Sequence, residues 1–211
     1  MKIKWLGHSC FLLTSHNGVK VLTDPFDSSV GYDVPRVIAD IVSTSHDHFD
    51  HNYIQAVQGD FFHANETGHF SHKGIEITGI SVFHDDKHGT QRGKNIIYKF
   101  VVDGIHICHC GDLGHGLTLE QVNEIGHVDI LLIPVGGFYT IGPDQAIEVA
   151  KMLQPSVIIP MHFKTKAIQF PIEGVENFLE KMGGERFGKQ EVEFDKASVG
   201  LTPGVLVLEY V

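Results

Sequence analysis

The chain has 211 residues, enough for one large domain or two small ones with a full core. Hydrophobic residues make up 42% of it, yet no apolar stretch approaches the roughly 18 residues that a bilayer crossing needs, so no membrane-spanning helix is expected. The formal charge of −10 disfavours nucleic acid as a partner, because phosphate binding is driven by Lys and Arg, and an odd count of three cysteines argues against a disulfide framework.

Lys2–Leu6 and Cys10–Thr14 read as strands, and His16-Asn17-Gly18 separates the second from Val19–Thr23. Asn-Gly between apolar runs is a hairpin signal. The apolar run Ile38–Val42 comes next, then His46-Asp47-His48-Phe49-Asp50-His51, then a helix expected over Asn52–Val57. Phe61–His63, Gly74–Phe83, Lys94–Val102 and Ile105–Cys110 have strand character. In the second half, helices over Thr118–Ile125 and Asp144–Leu153, the latter entered through Pro143, alternate with strands at Asp129–Ile133 and Val157–Ile159. Gly174–Met182 reads as a further helix and Val205–Tyr210 as a closing strand. Strands first, then alternation, predict an α/β sandwich of mixed sheets with helices outside. No linker, repeat or low-complexity run interrupts residues 1–211, which read as a single domain. Met1 to His8 lacks the apolar block and cleavage site of a signal peptide, so a cytoplasmic location is expected.

The hexapeptide packs three histidines and two aspartates into six residues. Imidazole and carboxylate are the ligands that hold zinc, manganese or iron. A core has no use for that composition, since burying an unpaired polar group costs on the order of 2–7 kcal/mol. The alternative is a solvated acidic turn. The cluster sits on a strand-to-helix loop, where functional groups are displayed. In an extended segment His46, His48 and Asp50 share a face and converge, while His51 points elsewhere, toward a second ion.

Three later residues stand where apolar runs end. His84 follows Ile80-Ser81-Val82-Phe83, Asp112 follows Ile107 to Gly111, and His162 follows Val157 to Met161. Such ends are the usual place for ligands in α/β proteins. Singly, a strand-end His or Asp is more often a cap or turn residue. Jointly with the hexapeptide, these three complete two metal spheres.

This set resembles the metallo-β-lactamase-fold hydrolases, whose H-x-H-x-D-H motif is followed by a His, an Asp and a His at later strand ends. Trp5-Leu6-Gly7-His8-Ser9, Thr23-Asp24-Pro25, Pro134 to Pro143 and Pro160-Met161-His162-Phe163 extend the similarity over most of the chain. The resemblance implies an αββα sandwich with two divalent metal ions, zinc first and manganese or iron as alternatives. It implies that His46, His48 and His84 hold one metal, that Asp50, His51 and His162 hold the other, and that Asp112 bridges them. Asp50 is also the implied catalytic group, orienting a water and shuttling its proton. The implied activity is hydrolysis of a lactone, ester, amide or phosphodiester bond in a small molecule by a hydroxide shared between the metals. The chain is similar to the small, single-domain branch that contains the ascorbate-6-phosphate lactonase-like proteins.

Departures narrow the reading. Common β-lactamases lack a His at the place of His51 and use Cys at the place of Asp112, so antibiotic hydrolysis is not expected. Flavodiiron proteins carry Glu where His48 stands, and they add a flavin domain. Glyoxalase II-like enzymes need a further helical domain, and ribonuclease Z-like enzymes a basic arm. Two alternatives remain in view: a phosphodiesterase or nuclease, which calls for a basic groove, and a non-catalytic metal-binding module, which the intact ligand set disfavours. A homo-oligomer is compatible with the sequence.

Asp24 is a candidate to hold a ligating histidine in place, or an ordinary turn aspartate before proline. His8, Tyr139 and Lys164 are candidates for the substrate pocket; Tyr139 would line it or pack against Phe138, and Lys164 would meet an anionic group or be simply solvated. Asp85 and Asp86 would shape an entrance. His88 reads as part of a mobile loop, Cys108 and Cys110 as small hydrophobes, and His63, His69 and His72 as surface residues.

Overall fold

The computed structural model describes residues 1–201 and 204–210. In chain order the strands are β1 (Lys2–Gly7), β2 (Cys10–Thr14), β3 (Lys20–Thr23), β4 (Ile41–Ser43), β5 (Phe62–Ala64), β6 (Gly68–His72), β7 (Ile75–Phe83), β8 (Lys94–Val102), β9 (Ile105–His109), β10 (Ile130–Pro134), β11 (Val157–Met161), β12 (Glu185–Arg186), β13 (Glu191–Glu193) and β14 (Leu206–Val207). The helices are α1 (Leu119–Ile125), α2 (Pro143–Leu153) and α3 (Glu176–Met182).

Two mixed six-stranded sheets form, in the orders β13-β1-β2-β3-β4-β5 and β11-β10-β9-β8-β7-β6. In the first, alternation splits the side chains between two apolar layers. Phe11, Leu13, Val21 and Ile41 enter the core between the sheets. Cys10, Leu22 and Val42 face the other way, against Phe26, Tyr32, Ile168 and Ile172. In the second sheet, β10 and β11 are buried at every residue, as parallel strands covered on both faces are. α2 contacts β10 and α3. Its buried residues Ala146, Ile147, Val149, Ala150 and Leu153 form one helical stripe. A capping box of Thr118 and Gln121 starts α1.

The mixed sheets and the three main helices follow the sequence reading. Four details differ. Asn52–Val57 is not an α-helix but a single 3₁₀ turn at Ile54–Ala56, with no side-chain cap at its start. Gly68–His72 is a strand, hidden in the sequence by its polar composition, which suits an edge. Glu191–Glu193 pairs with β1. The closing strand shrinks to Leu206–Val207.

Topology decides where function can sit. β1, β3 and β4 of the first sheet run in one direction, as do β7, β9 and β11 of the second. The residues that follow their C-terminal ends are His8, Asp24, the hexapeptide, His84, Asp112 and His162. They meet at one end of the sandwich.

Candidate metal centre

Residues 46–50 are not extended but bend and turn, so alternation does not aim their side chains. His51 N–H instead closes a turn on the His48 carbonyl at 2.9 Å. The motif thereby points its groups in two directions. His46 and His48 face His84, with ligand atoms of the three within 4.8 Å of one another. Asp50 lies on the other side, its Oδ2 3.2 Å from His8 Nε2 and 3.7 Å from His51 Nε2.

Asp112 lies between. Its Oδ1 is 3.2 Å from His51 Nε2, and its Oδ2 is 3.2 Å from His84 Nε2 and 3.3 Å from His162 Nε2. The turn that carries it, Cys110-Gly111-Asp112, is clamped by Asn95, whose Nδ2 donates to the Cys110 carbonyl and whose Oδ1 accepts from Asp112 N–H. Gly111 has φ +53°, and a Cβ there would lie 2.4 Å from Asn95 Oδ1. Only glycine fits. His109 braces the same turn: Nδ1 accepts from Gly111 N–H, and Nε2 donates to the Ser9 carbonyl of the opposite sheet.

Asp24 joins two of the histidines. It is fully buried, and its Oδ2 accepts from Ser45 Oγ at 2.7 Å and from His51 Nδ1 at 2.9 Å. With its hydrogen given to Asp24, Ser45 Oγ accepts from His46 Nδ1 at 3.0 Å. Both imidazoles are therefore anchored through Nδ1, and both Nε2 atoms are buried without a hydrogen-bond partner. Asp112 Oδ1 is also buried and unpartnered. His46, His51 and Asp112 form one of the groups whose ligand atoms converge within 4.8 Å. Buried polar atoms are rarely left unpaired, and here three point to one place.

The electrostatics match a cation. Burial pushes His46 down to about 3, so it is neutral at pH 7 with a free lone pair. Burial works against charge on His51 too, but Asp112 and Asp50 hold it well above the usual histidine range. Burial likewise opposes ionisation of Asp112, yet His162 and His51 hold its carboxyl well below the usual range. Asp50, opposed by burial and favoured by His51 and His8, is also lowered. A buried place that keeps its carboxylates ionised calls for positive charge. The imidazoles and carboxylates present fit a divalent metal.

His8 is closer to this centre than its sequence suggested. It forms a third convergent group with His51 and His162, and its ring centroid is 4.2 Å from that of His162. Its backbone has φ +53°, strained for a non-glycine residue, and is held there by Trp5 Nε1 and His162 N–H, both donating to its carbonyl. Burial, then His162, push its ring down to about 4.

Of the other candidates, Tyr139 stacks at an angle against Phe138 and Phe170, and Phe170 is 5.8 Å from His8. Lys164 Nζ donates to the Phe170 carbonyl at 2.7 Å, which ties down that loop. Asp85 folds its own loop: its carboxylate accepts from the backbone N–H of Lys87, Gly89, Gln91 and Arg92. His63 hydrogen-bonds to Thr44 Oγ1 and His69 to Thr78 Oγ1, away from the cluster. A cleft of about 500 Å³ opens beside His46 and His48. Two larger clefts, of about 720 and 780 Å³, contain none of the clustered residues. Ser45, Asn95 and His109 carry no signal in the sequence, because their parts depend on contacts between distant strands.

Residues 2–162 match the β-lactamase superfamily domain. A UPF0173 metal-dependent hydrolase from Methanoregula boonei is 32% identical to this chain, over 78% of it and 83% of its own length. Another from Methanopyrus kandleri is 29% identical and covers 99% of this chain and 97% of its own. The solved structure of a Thermotoga maritima protein, whose name proposes a Zn-dependent hydrolase of the metallo-β-lactamase superfamily, is similar with a TM-score of 0.81 at 43% identity, covering 98% of this chain and 97% of that one. The chain belongs to the metallo-β-lactamase superfamily of metal-dependent hydrolases.

Proposed function

We propose that the clustered residues hold two divalent metal ions and that the protein hydrolyses a lactone, ester, amide or phosphodiester bond in a small molecule. His46, His48 and His84 would hold one ion, Asp50, His51 and His162 the other, with Asp112 between them. The observation that carries this reading is the convergence of three buried ligand atoms that make no hydrogen bond, His46 Nε2, His51 Nε2 and Asp112 Oδ1, the last two 3.2 Å apart. The name of the Thermotoga neighbour and the histidine-rich ligand set favour zinc. Three free, buried cysteines support a reducing, cytoplasmic setting. Ligands drawn from both sheets favour residues 1–211 working as one domain.

Bound there, the metals would lower the pKa of a water toward neutrality and polarise the substrate's carbonyl or phosphoryl oxygen. The chain's own groups do the rest. Asp24 and Ser45 fix the rings of His51 and His46. His8 Nε2 donates to Asp50 Oδ2, which orients that carboxylate. Asp50 takes the proton of the attacking water and delivers it to the leaving group. Being held ionised, it keeps that proton only briefly.

Metal content by mass spectrometry, on the parent and on a His48→Ala, Asp112→Ala double variant, tests the centre. Near two equivalents in the parent, with clear loss in the variant, is the expected result. No bound metal after incubation with zinc or manganese would overturn it. Turnover of a lactone, an ester and a phosphodiester then tests hydrolysis, with the double variant as control.

A further inference from the structure

We infer that the substrate carries a carboxylate or phosphate group away from the reacting bond, and that Arg92 recognises it. This rests on the hydrolase reading for its use, but not for its test.

Arg92 is one of three arginines in the chain. Arg186 pairs with Glu176 and Glu209, and Arg36 is exposed on a loop. The Arg92 guanidinium is half-buried and, among the described residues, has no carboxylate within 4.0 Å and no side-chain hydrogen bond. In a chain with 26 acidic residues and a net charge of −10, a half-buried arginine without an acidic partner needs a reason.

Its position is built. The loop that leaves His84 wraps around the Asp85 carboxylate, which accepts four backbone N–H groups, that of Arg92 itself at 2.7 Å. Gly93 N–H then returns to the Gly89 carbonyl, and His84 N–H to that of Gly93. Arg92 is thus fixed relative to His84. From across the cleft, Tyr139 presents its ring to the guanidinium, with Cζ 5.3 Å from the centroid. A guanidinium lying on an aromatic face keeps its edge free for a two-pronged bond to an oxyanion.

The location is also specific. Arg92 lines both the cleft of about 500 Å³ that holds His46 and His48 and a smaller one, of about 200 Å³, with Phe138 and Tyr139. Tyr139 continues through Phe170 to His8, so a wall runs from Arg92 across the mouth of the metal centre. Lys94, in the larger cleft, adds a second cation with no ion pair among the described residues. The acidic groups nearby are engaged: Asp85 by its backbone bonds, Asp86 by Lys87, and Asp47 by Asn52. A substrate anion would complete the site, and the planar fork suits carboxylate and phosphate alike.

The test uses the full chain as purified, with its metal content measured on the same sample. Succinate, inorganic phosphate and neutral succinamide are titrated calorimetrically against the parent, Arg92→Gln, Arg92→Lys and Tyr139→Leu. Either anion should bind the parent at least tenfold more tightly than succinamide, and whichever is tighter identifies the group. Arg92→Gln should weaken that anion about tenfold with metal content and urea midpoint unchanged. Arg92→Lys should fall between, since the charge stays and the fork is lost. Tyr139→Leu should weaken it a fewfold, and it serves as the second probe should Arg92→Gln fold poorly. Anion binding within twofold of the parent in both Arg92→Gln and Tyr139→Leu, or no anion binding to the parent, overturns the inference. Absence of turnover in the parent with these affinities intact would instead count against the hydrolase reading alone.

Discussion

The two ends of the parallel strands β9, β10 and β11 both gather histidine and aspartate, and they use them differently. At the N-terminal end, Asp129 has both oxygens taken: Oδ2 by His106 N–H and Lys196 Nζ, and Oδ1 by His127 Nε2. There His106 Nδ1 is also buried and open, but alone; at the C-terminal end open, buried ligand atoms of His46, His51 and Asp112 converge. Backbone strain separates the ends as well. At the first end, left-handed Asp103 belongs to a two-residue hairpin turn and left-handed Gln154 caps the C-terminus of α2, both settings that favour that conformation. At the other end, His8 is buried in the two-residue β1–β2 turn, and Asp24 and His162 are left-handed, buried and outside any hairpin turn, at a cost of about 1–3 kcal/mol each. Composition alone therefore does not mark a site. Open valence on a strained, over-determined frame does.

That contrast can be tested. The largest effect is expected for Asp50→Asn, which should lower kcat by about 10²–10⁴-fold on any ester or lactone the parent hydrolyses. A loss under tenfold would remove Asp50 from proton transfer. Asp24→Ala should come next. It leaves His51 Nδ1 and both groups of Ser45 without their acceptor. Metal affinity, read by chelator competition, should fall about 10–100-fold. Stability in urea should fall by about 1–3 kcal/mol. Asp129→Ala should cost about 1–3 kcal/mol too, by stranding the His106 N–H, yet leave metal content and turnover as they were. A change in metal content there would erase the distinction between the ends.

The smallest effect is a matter of pH. Burial opposes ionisation of Asp129, but His106 N–H and Lys196 win, and its carboxyl is lowered. A group whose pKa is lower in the folded state contributes above its unfolded value, near 3.9, and the contribution disappears as pH falls toward the folded value. The gap in melting temperature between parent and Asp129→Asn should therefore be constant from pH 7 to about 5 and close below about 4. Since Lys196 is half exposed, its share of the gap should be small and screened by salt.

The centre was more legible in the sequence than its surroundings. The hexapeptide is local, and His84, Asp112 and His162 each follow an apolar run, so all seven residues could be picked out from strand ends. The expected reason for their convergence was wrong, because the hexapeptide turns instead of extending. The approach of His8 to His51 and His162 depends on a left-handed backbone after Gly7, which no periodicity reveals. Nothing in the sequence marks Arg92, because its setting is made by Asp85 and by Tyr139 from a distant loop. Strand β6 escaped because a solvated edge tolerates the polar residues that signal a loop.

One consequence follows from where the clustered residues originate. His8, Asp24 and the hexapeptide belong to the first sheet, and His84, Asp112 and His162 to the second. Any cation held among them would act as a rivet between the halves. Binding only when the halves are together, it would oppose their separation in proportion to its affinity and concentration. Chelation would then loosen the sandwich along its seam before either sheet melts. His109 reaches the Ser9 carbonyl across that seam at 2.8 Å, and exposure of its buried ring to solvent would time that opening.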